Sequence, residues 1–156
     1  FHALYPERIV NKTNGITFRR WLMEANPGLT RLITEAIGPA FLDDLEHLRD
    51  LEPFADDASF RERFAAARQA NKAALAKVIA TQLGVRVNPA ALFDVHIKRI
   101  HEYKRQLLNI LETVAIYNAM RARPHDSFVP RVRVFAGKAA AGYHTAKLII
   151  KLANDV

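Results

Sequence analysis

The chain has 156 residues, half of them hydrophobic and a quarter charged, which is a composition typical of a globular protein. It has no cysteine, which excludes disulfides and thiolate metal sites, and no run of about 18 apolar residues that would span a membrane. Its net charge of +7 is concentrated in residues 93–156, where 11 basic and 5 acidic residues give +6. Basic halves also occur in nucleic-acid-binding proteins, but these cations cluster at turns rather than along one helix face.

The first part of the chain has apolar residues at helical spacing. Residues 1–13 are irregular, and we interpret them as the tail of an upstream N-terminal domain. Residues 14–91 are predicted to form a helical lead-in to the next domain, with helices over 29–37 and about 60–83 that end at glycine. Between them, residues 41–48 predict a further helix that ends before the next proline.

Residues 92–156 predict the start of a Rossmann-like β-α-β-α core. A β-branched and aromatic run over 92–97 predicts a buried strand, followed by a helix over about 102–121. A second strand over 131–136 and a helix over 143–153 complete the pattern. This order favours a parallel sheet with right-handed crossovers, and therefore an α/β fold.

Four cations fall on the turn after the first predicted strand and on the first turn of the helix that follows it: Lys98, Arg99, Lys104 and Arg105. We call residues 98–105 the basic turn. Cations at the positive end of a helix macrodipole each cost roughly 0.3–1 kcal/mol unless an anion is nearby. Because ligands of open parallel sheets bind at the carboxyl ends of the strands, the basic turn predicts a phosphate or carboxylate site. The alternative is a solvated basic face whose cations pair with Glu102 and Asp94.

The second predicted strand is followed by a turn over Gly137–Tyr143 that contains two glycines and three alanines. Small residues allow the backbone to approach a ligand closely at the start of a helix. The spacing is neither that of a P-loop nor that of the dinucleotide-binding motif. A tight turn with close helix–sheet packing explains this sequence equally well.

The six histidines do not predict a metal site. His96 and His101 are five residues apart across a strand–turn boundary, and no pair at helical spacing accompanies them. The sequence also contains no nucleophilic serine elbow and no pair of candidate catalytic carboxylates. Anion binding at the basic turn is therefore the chemistry that the residues predict.

Three segments together are similar to signatures of the glycogen and α-glucan phosphorylase family. The first runs from Phe93 and reads FDVHIKRIHEYKRQLLN, and the second runs from Asn11 and reads NKTNGITFRRWL. The third begins at Phe135 and reads FAGKAAAGYH, followed by AKLIIKL from Ala146. Their order and separation also match the family, so the resemblance covers essentially the whole chain.

The resemblance implies a GT-B fold, of which this chain is a partial C-terminal domain, and an enzyme that depends on pyridoxal 5′-phosphate. Such an enzyme transfers a terminal α-1,4-glucan glucosyl unit to inorganic phosphate, with retention, to give glucose 1-phosphate. By analogy, Lys98 faces the cofactor's 5′-phosphate, while Arg99 and Lys104 hold the substrate phosphate. Asn14 would hydrogen-bond the glucose, and Tyr143 would flank the cleft entrance. A cytoplasmic homodimer without membrane or nucleic-acid partners is expected for the parent protein.

The chain departs from the family pattern at two prolines, which are replaced by Phe18 and Ala141. The family's cofactor-anchoring lysine is expected beyond Val156, so the chain by itself is expected to be an inactive fragment of that enzyme. The alternative from another class is a basic module that binds an anion or a nucleic acid without catalysis.

Overall fold

The structure, a computed structural model, describes residues 1–10, residue 12 and residues 15–156. Its backbone divides into two compact units, residues 1–71 and 72–156. The predicted boundaries at residues 13 and 91 stay predictions. In the described parts of the chain, no helix has the length and apolar character needed to cross a membrane.

The first unit is helical. Its α-helices are α1, Pro27–Ile37, and the start of α2, Ala58–Leu83, which continues past the unit boundary. The described part of this unit also contains a π-helical segment, Arg19–Glu24, before α1. Two 3₁₀ helices, Ala40–Leu42 and Leu45–Asp56, lie between α1 and α2.

Helix α1 has recognisable start and stop signals. The Asn26 side chain accepts a hydrogen bond from the backbone N–H of Leu29 (3.3 Å), and a proline occupies the first helical position. Gly38 ends the helix with φ of +77°, a conformation that costs glycine little. The apolar face of α1 contributes Leu32 and Ile33 to the buried residues of this unit.

The helix predicted over residues 41–48 is wrong in both type and end. Two 3₁₀ helices replace it, and the second continues through Pro53 to Asp56. The Asp44 carboxylate accepts a hydrogen bond from the backbone N–H of Glu46 (3.0 Å). A side chain that bonds its own backbone in this way competes with regular α-helical hydrogen bonding.

The second unit has α/β structure. Strand β1, Leu92–Ile97, pairs in parallel with β2, Arg131–Ala136, in a two-stranded sheet. Helix α3, Gln106–Ala122, connects the strands, and α4, His144–Asp155, follows β2. A short 3₁₀ helix, Glu102–Lys104, precedes α3. The predicted β-α-β-α order, both strand ranges and the parallel pairing are confirmed.

One face of the sheet is covered. The buried residues Ile110, Ala146 and Ile149 of α3 and α4 form a cluster with Ile100, and Phe135 of β2 packs against it. Alternate residues of a strand point to opposite faces, and His96 of β1 is paired with Phe135. Val95 and Ile97 of β1 therefore point away from this cluster.

The prediction that β1 is a buried strand is wrong for this structure. Val95 is 45% exposed and Ile97 is 59% exposed. The sheet has only two strands, so much of its second face remains in contact with solvent.

Candidate functional site

The parallel pairing of β1 and β2 continues beyond both strands. The backbone N–H of Lys98 donates to the carbonyl of Ala136 (3.1 Å), and that of Ile100 donates to the carbonyl of Lys138 (3.1 Å). This continuation places Arg99 opposite Lys138 at the carboxyl ends of the strands. Like charges directly opposite each other are destabilising, so this arrangement is suited to an anion that neutralises both.

Gly137 allows the two turns to approach this closely. A Cβ atom at this residue would lie 2.0 Å from the carbonyl oxygen of Lys98 and 3.2 Å from Cδ1 of Ile100. No side chain fits such a space. The glycine is therefore needed for the contact between the basic turn and the turn after β2, whereas the sequence had predicted an approach to a ligand or close helix–sheet packing.

The buried side chain of Gln106 fixes the backbone of the basic turn. Only 1% of this residue is exposed, and it is the first residue of α3. Its Nε2 donates to the carbonyl of Arg99 (3.1 Å), and its Oε1 accepts from the backbone N–H of His101 (3.3 Å). Both halves of one amide thus hold the segment that carries the candidate anion ligands. Sequence reasoning missed this residue, whose only signal was a glutamine at the start of an apolar helix.

The predicted site residues line two clefts at the strand ends. Arg99, Lys138 and Tyr143 lie in the lining of a cleft of about 380 Å³. Lys98 and Lys104 lie in the lining of a second cleft of about 500 Å³. The structure thus brings the two lysines together, and it places Arg99 beside a further cation that had been noted only as part of a glycine-rich turn.

The acidic residues near the basic turn have other partners. Asp94 accepts a hydrogen bond from Arg133 (3.2 Å), and Glu102 accepts one from the hydroxyl of Tyr143 (2.6 Å). In the described parts of the chain, no ion pair joins a cation of the basic turn to a carboxylate. The pairing with Glu102 and Asp94 in the alternative prediction is wrong, whereas its solvated face agrees with the structure, in which Lys98, Arg99 and Arg105 are exposed.

Tyr143 connects the turn after β2 to the basic turn. Its hydroxyl donates to Oε2 of Glu102, and it accepts a hydrogen bond from the backbone N–H of the same residue (3.2 Å). His101 Nδ1 lies 3.4 Å from the hydroxyl oxygen, and the two rings meet edge to face with centroids 4.9 Å apart. The hydrogen bond to the Glu102 carboxylate raises the pKa of Tyr143 above its usual value of 10.0.

Beneath the site, Arg133 joins β2 to β1 and α3. Its side chain is 10% exposed, and it pairs with both Asp94 and Glu112. It also donates to the side chain of Asn109, whose amide in turn contacts Asp94 (3.3 Å). The register Asp94↔Arg133 is what makes this pairing possible. Sequence reasoning missed it because the partners come from different elements.

Two further predictions concern Asn14 and metal binding. Asn14, predicted to bind the glucose unit, lies outside the described residues. Within the described ranges, no three potential histidine, aspartate or glutamate ligands come together in a metal-binding arrangement.

Comparison with known proteins identifies the relatives of this chain. A sequence model of the carbohydrate phosphorylase family matches residues 1–156. The brain form of glycogen phosphorylase from Bos taurus is 51% identical over the whole chain, which covers 18% of that relative. The human brain form is 50% identical with 18% of its length covered, and glycogen phosphorylase from Chlamydia pneumoniae is 47% identical with 19% covered. The chain thus spans less than a fifth of the length of these relatives.

Proposed function

The chain belongs to the carbohydrate phosphorylase family, and on this basis we propose that it is a segment of an α-1,4-glucan phosphorylase. In the complete enzyme, the reaction transfers a terminal glucosyl unit to inorganic phosphate, with retention, and releases glucose 1-phosphate. The proposal extends to a GT-B fold, a homodimeric parent protein and a cytoplasmic location. The isolated chain is expected to lack this activity.

The observation that carries the proposal is the set of cations without carboxylate partners at the carboxyl ends of two parallel strands. Inorganic phosphate carries one to two negative charges near neutral pH, and several positive groups and backbone dipoles together can hold it. Gly137 and the side chain of Gln106 hold the backbone of this region in place. A preorganised turn does not have to reorganise when charge develops during the reaction.

We assign different roles to the three cations. Arg99 and Lys104 hold the substrate phosphate, with the arginine approaching from the cleft that also contains Lys138. An arginine can grip a phosphate with two parallel N–H donors, whereas a lysine supplies a movable point charge. Lys98, which shares its cleft with Lys104, holds the 5′-phosphate of the cofactor.

The donor set fits pyridoxal 5′-phosphate at its phosphate end. Lys98 lines the second cleft beside Lys104, the lysine assigned to the substrate phosphate, and neither lysine forms an ion pair with a carboxylate among the described residues. When bound, the cofactor supplies a phosphate that exchanges a proton with the substrate phosphate. The chain's own contribution is to hold two anions close together, which requires a high local density of positive charge. We further propose that Asn14 contacts the glucose unit and that the ring of Tyr143 flanks the cleft.

The test is phosphorolysis of an α-glucan by the complete protein that contains these residues. Replacement of Arg99 by alanine is expected to lower kcat/KM for phosphate by about a hundredfold, as for loss of one transition-state contact. The KM for glucan should change little, because this side chain is assigned to phosphate alone. The exposed Arg86, which lies outside both clefts, provides the control Arg86→Ala. An unchanged phosphate dependence in Arg99→Ala would refute the role assigned to Arg99.

The net charge of +6 over residues 93–156 favours a second candidate, a basic module that captures nucleic acid. Such binding would be tight at low salt and would fall steeply as salt rises, because counterions are released from the phosphate backbone. A gel-shift titration of the chain with duplex DNA and RNA at several salt concentrations distinguishes the two functions. Weak binding without a steep salt slope is expected.

A further inference from the structure

We propose that the hydroxyl of Tyr143 binds the carboxylate of Glu102, holds it away from the cations of the basic turn and so keeps these cations free for phosphate. This inference rests on the proposed function, since it concerns the same phosphate site. It assigns Tyr143 a second role in addition to flanking the cleft. The hydroxyl acts as a positioning group, and Glu102 is an internal competitor of the substrate anion.

The position of Glu102 makes it the competitor. It is the one acidic residue of the basic turn, three residues after Arg99 and two before Lys104. A carboxylate so close to two cations would ordinarily pair with them, and the turn would then present little positive charge to an incoming anion. The observed structure has no such pair among the residues it describes.

The hydrogen bonds of Tyr143 account for this absence. Its hydroxyl donates to Glu102 Oε2 at 2.6 Å, a short bond of the kind that a charged acceptor forms. The same oxygen accepts from the Glu102 backbone N–H at 3.2 Å, so both the side chain and the main chain of this residue are bound to one group. This double contact fixes the direction of the carboxylate as well as its location.

His101 keeps the tyrosine ring in the required orientation. The rings pack edge to face, with centroids 4.9 Å apart. The imidazole Nδ1, 3.4 Å from the hydroxyl oxygen, also lies near the backbone N–H of Tyr103 (3.5 Å). The hydroxyl is therefore directed at Glu102 by packing as well as by hydrogen bonding.

The experiment compares four forms of the complete enzyme: wild type, Tyr143→Phe, Glu102→Gln and the double variant. Tyr143→Phe keeps the ring and removes only the hydroxyl. The freed carboxylate is expected to raise the KM for phosphate about threefold to fivefold, the range that an exposed ion pair supports. The KM for glucan should stay within error of the wild-type value.

The double variant separates competition from structural damage. A glutamine at residue 102 carries no charge, so Glu102→Gln alone should leave the KM for phosphate unchanged or lower it, and the double variant should bring that KM back to wild type or below. If the double variant stays as impaired as Tyr143→Phe, or if Glu102→Gln by itself raises the KM, the competition proposal is wrong. Tyr117→Phe, at a tyrosine 59% exposed on α3, is the matched control.

Failure of the proposed function gives a different result. If the wild-type protein shows no phosphorolysis, the function is wrong, and the four forms are then titrated with inorganic phosphate by calorimetry. The expected order of affinity for phosphate follows the order expected for the KM. Glu102→Gln and the double variant bind at least as tightly as wild type, and Tyr143→Phe binds more weakly. Equal affinities across the four forms would overturn the inference.

Discussion

Replacement of the buried Gln106 by leucine tests how the basic turn is held. Leucine has a similar volume, so the cavity contribution is small, and the main loss is two hydrogen bonds to a nearly inaccessible amide. Each bond contributes about 1 kcal/mol net, and the carbonyl of Arg99 and the N–H of His101 also lose their partner. We therefore expect a loss of about 2–3 kcal/mol in the free energy of unfolding.

Urea denaturation of the chain, followed by far-UV circular dichroism, measures this loss. The control is Gln82→Leu, at an exposed position of α2, which should change the free energy of unfolding by less than about 0.5 kcal/mol. Gln106→Glu should be more harmful than Gln106→Leu at neutral pH, because it places a buried charge against the carbonyl of Arg99. A loss below about 0.5 kcal/mol for Gln106→Leu would show that the amide does not hold the turn.

Three further predictions concern the same region. Gly137→Ala should destabilise the chain by about 3 kcal/mol or more in urea denaturation, because its Cβ would overlap a backbone oxygen, whereas Gly142→Ala, with open space around it, should be nearly neutral. Arg133→Met should cost about 1 kcal/mol in the same assay, because it removes a nearly buried guanidinium from Asp94 and Glu112. The cost is limited because Glu112 keeps its ion pair with Arg131 and Asp94 keeps its hydrogen bond from Asn109. A neutral result would contradict the role of this network. The hydrogen bond to Glu102 raises the pKa of Tyr143, so its stabilisation is complete below the usual tyrosine pKa of 10.0 and is lost as pH rises through the raised value. Ultraviolet titration should show one late tyrosine that Tyr143→Phe removes.

The elements of the second unit were predictable because local and tertiary preferences agree there. β-branched and aromatic residues recur through both segments, which favours strands, and both strand ranges match the structure. The helix predicted from about residue 102 begins later, at Gln106, because Arg105 adopts a left-handed conformation with φ of 64°. No residue-level pattern marks an arginine for that conformation, which non-glycine residues adopt rarely.

The composition of the candidate site was predictable, but its internal pairing was not. The cations of the basic turn lie within a few residues of one another, so charge and dipole arguments identify them directly. The partners of the acids lie far away in sequence: Arg133 is 39 residues from Asp94, and Tyr143 is 41 residues from Glu102. Such contacts depend on strand register and on the approach of two turns, and local sequence patterns reveal neither of them.

The acids of this segment have partners within the chain, whereas the cations of the basic turn have no carboxylate partner among the described residues. This difference gives the candidate site its positive charge. The second unit does not achieve it by adding cations alone, since it also places Asp94 and Glu102 within the same strand–turn segment. Arg133 neutralises the first acid below the sheet end, and the Tyr143 hydroxyl binds the second beside the turn. In the described parts of the chain, neither acid then pairs with a cation of the basic turn, which leaves these cations available to the phosphate that we propose they bind. Loss of either partner should therefore weaken phosphate binding even though every cation of the basic turn is retained.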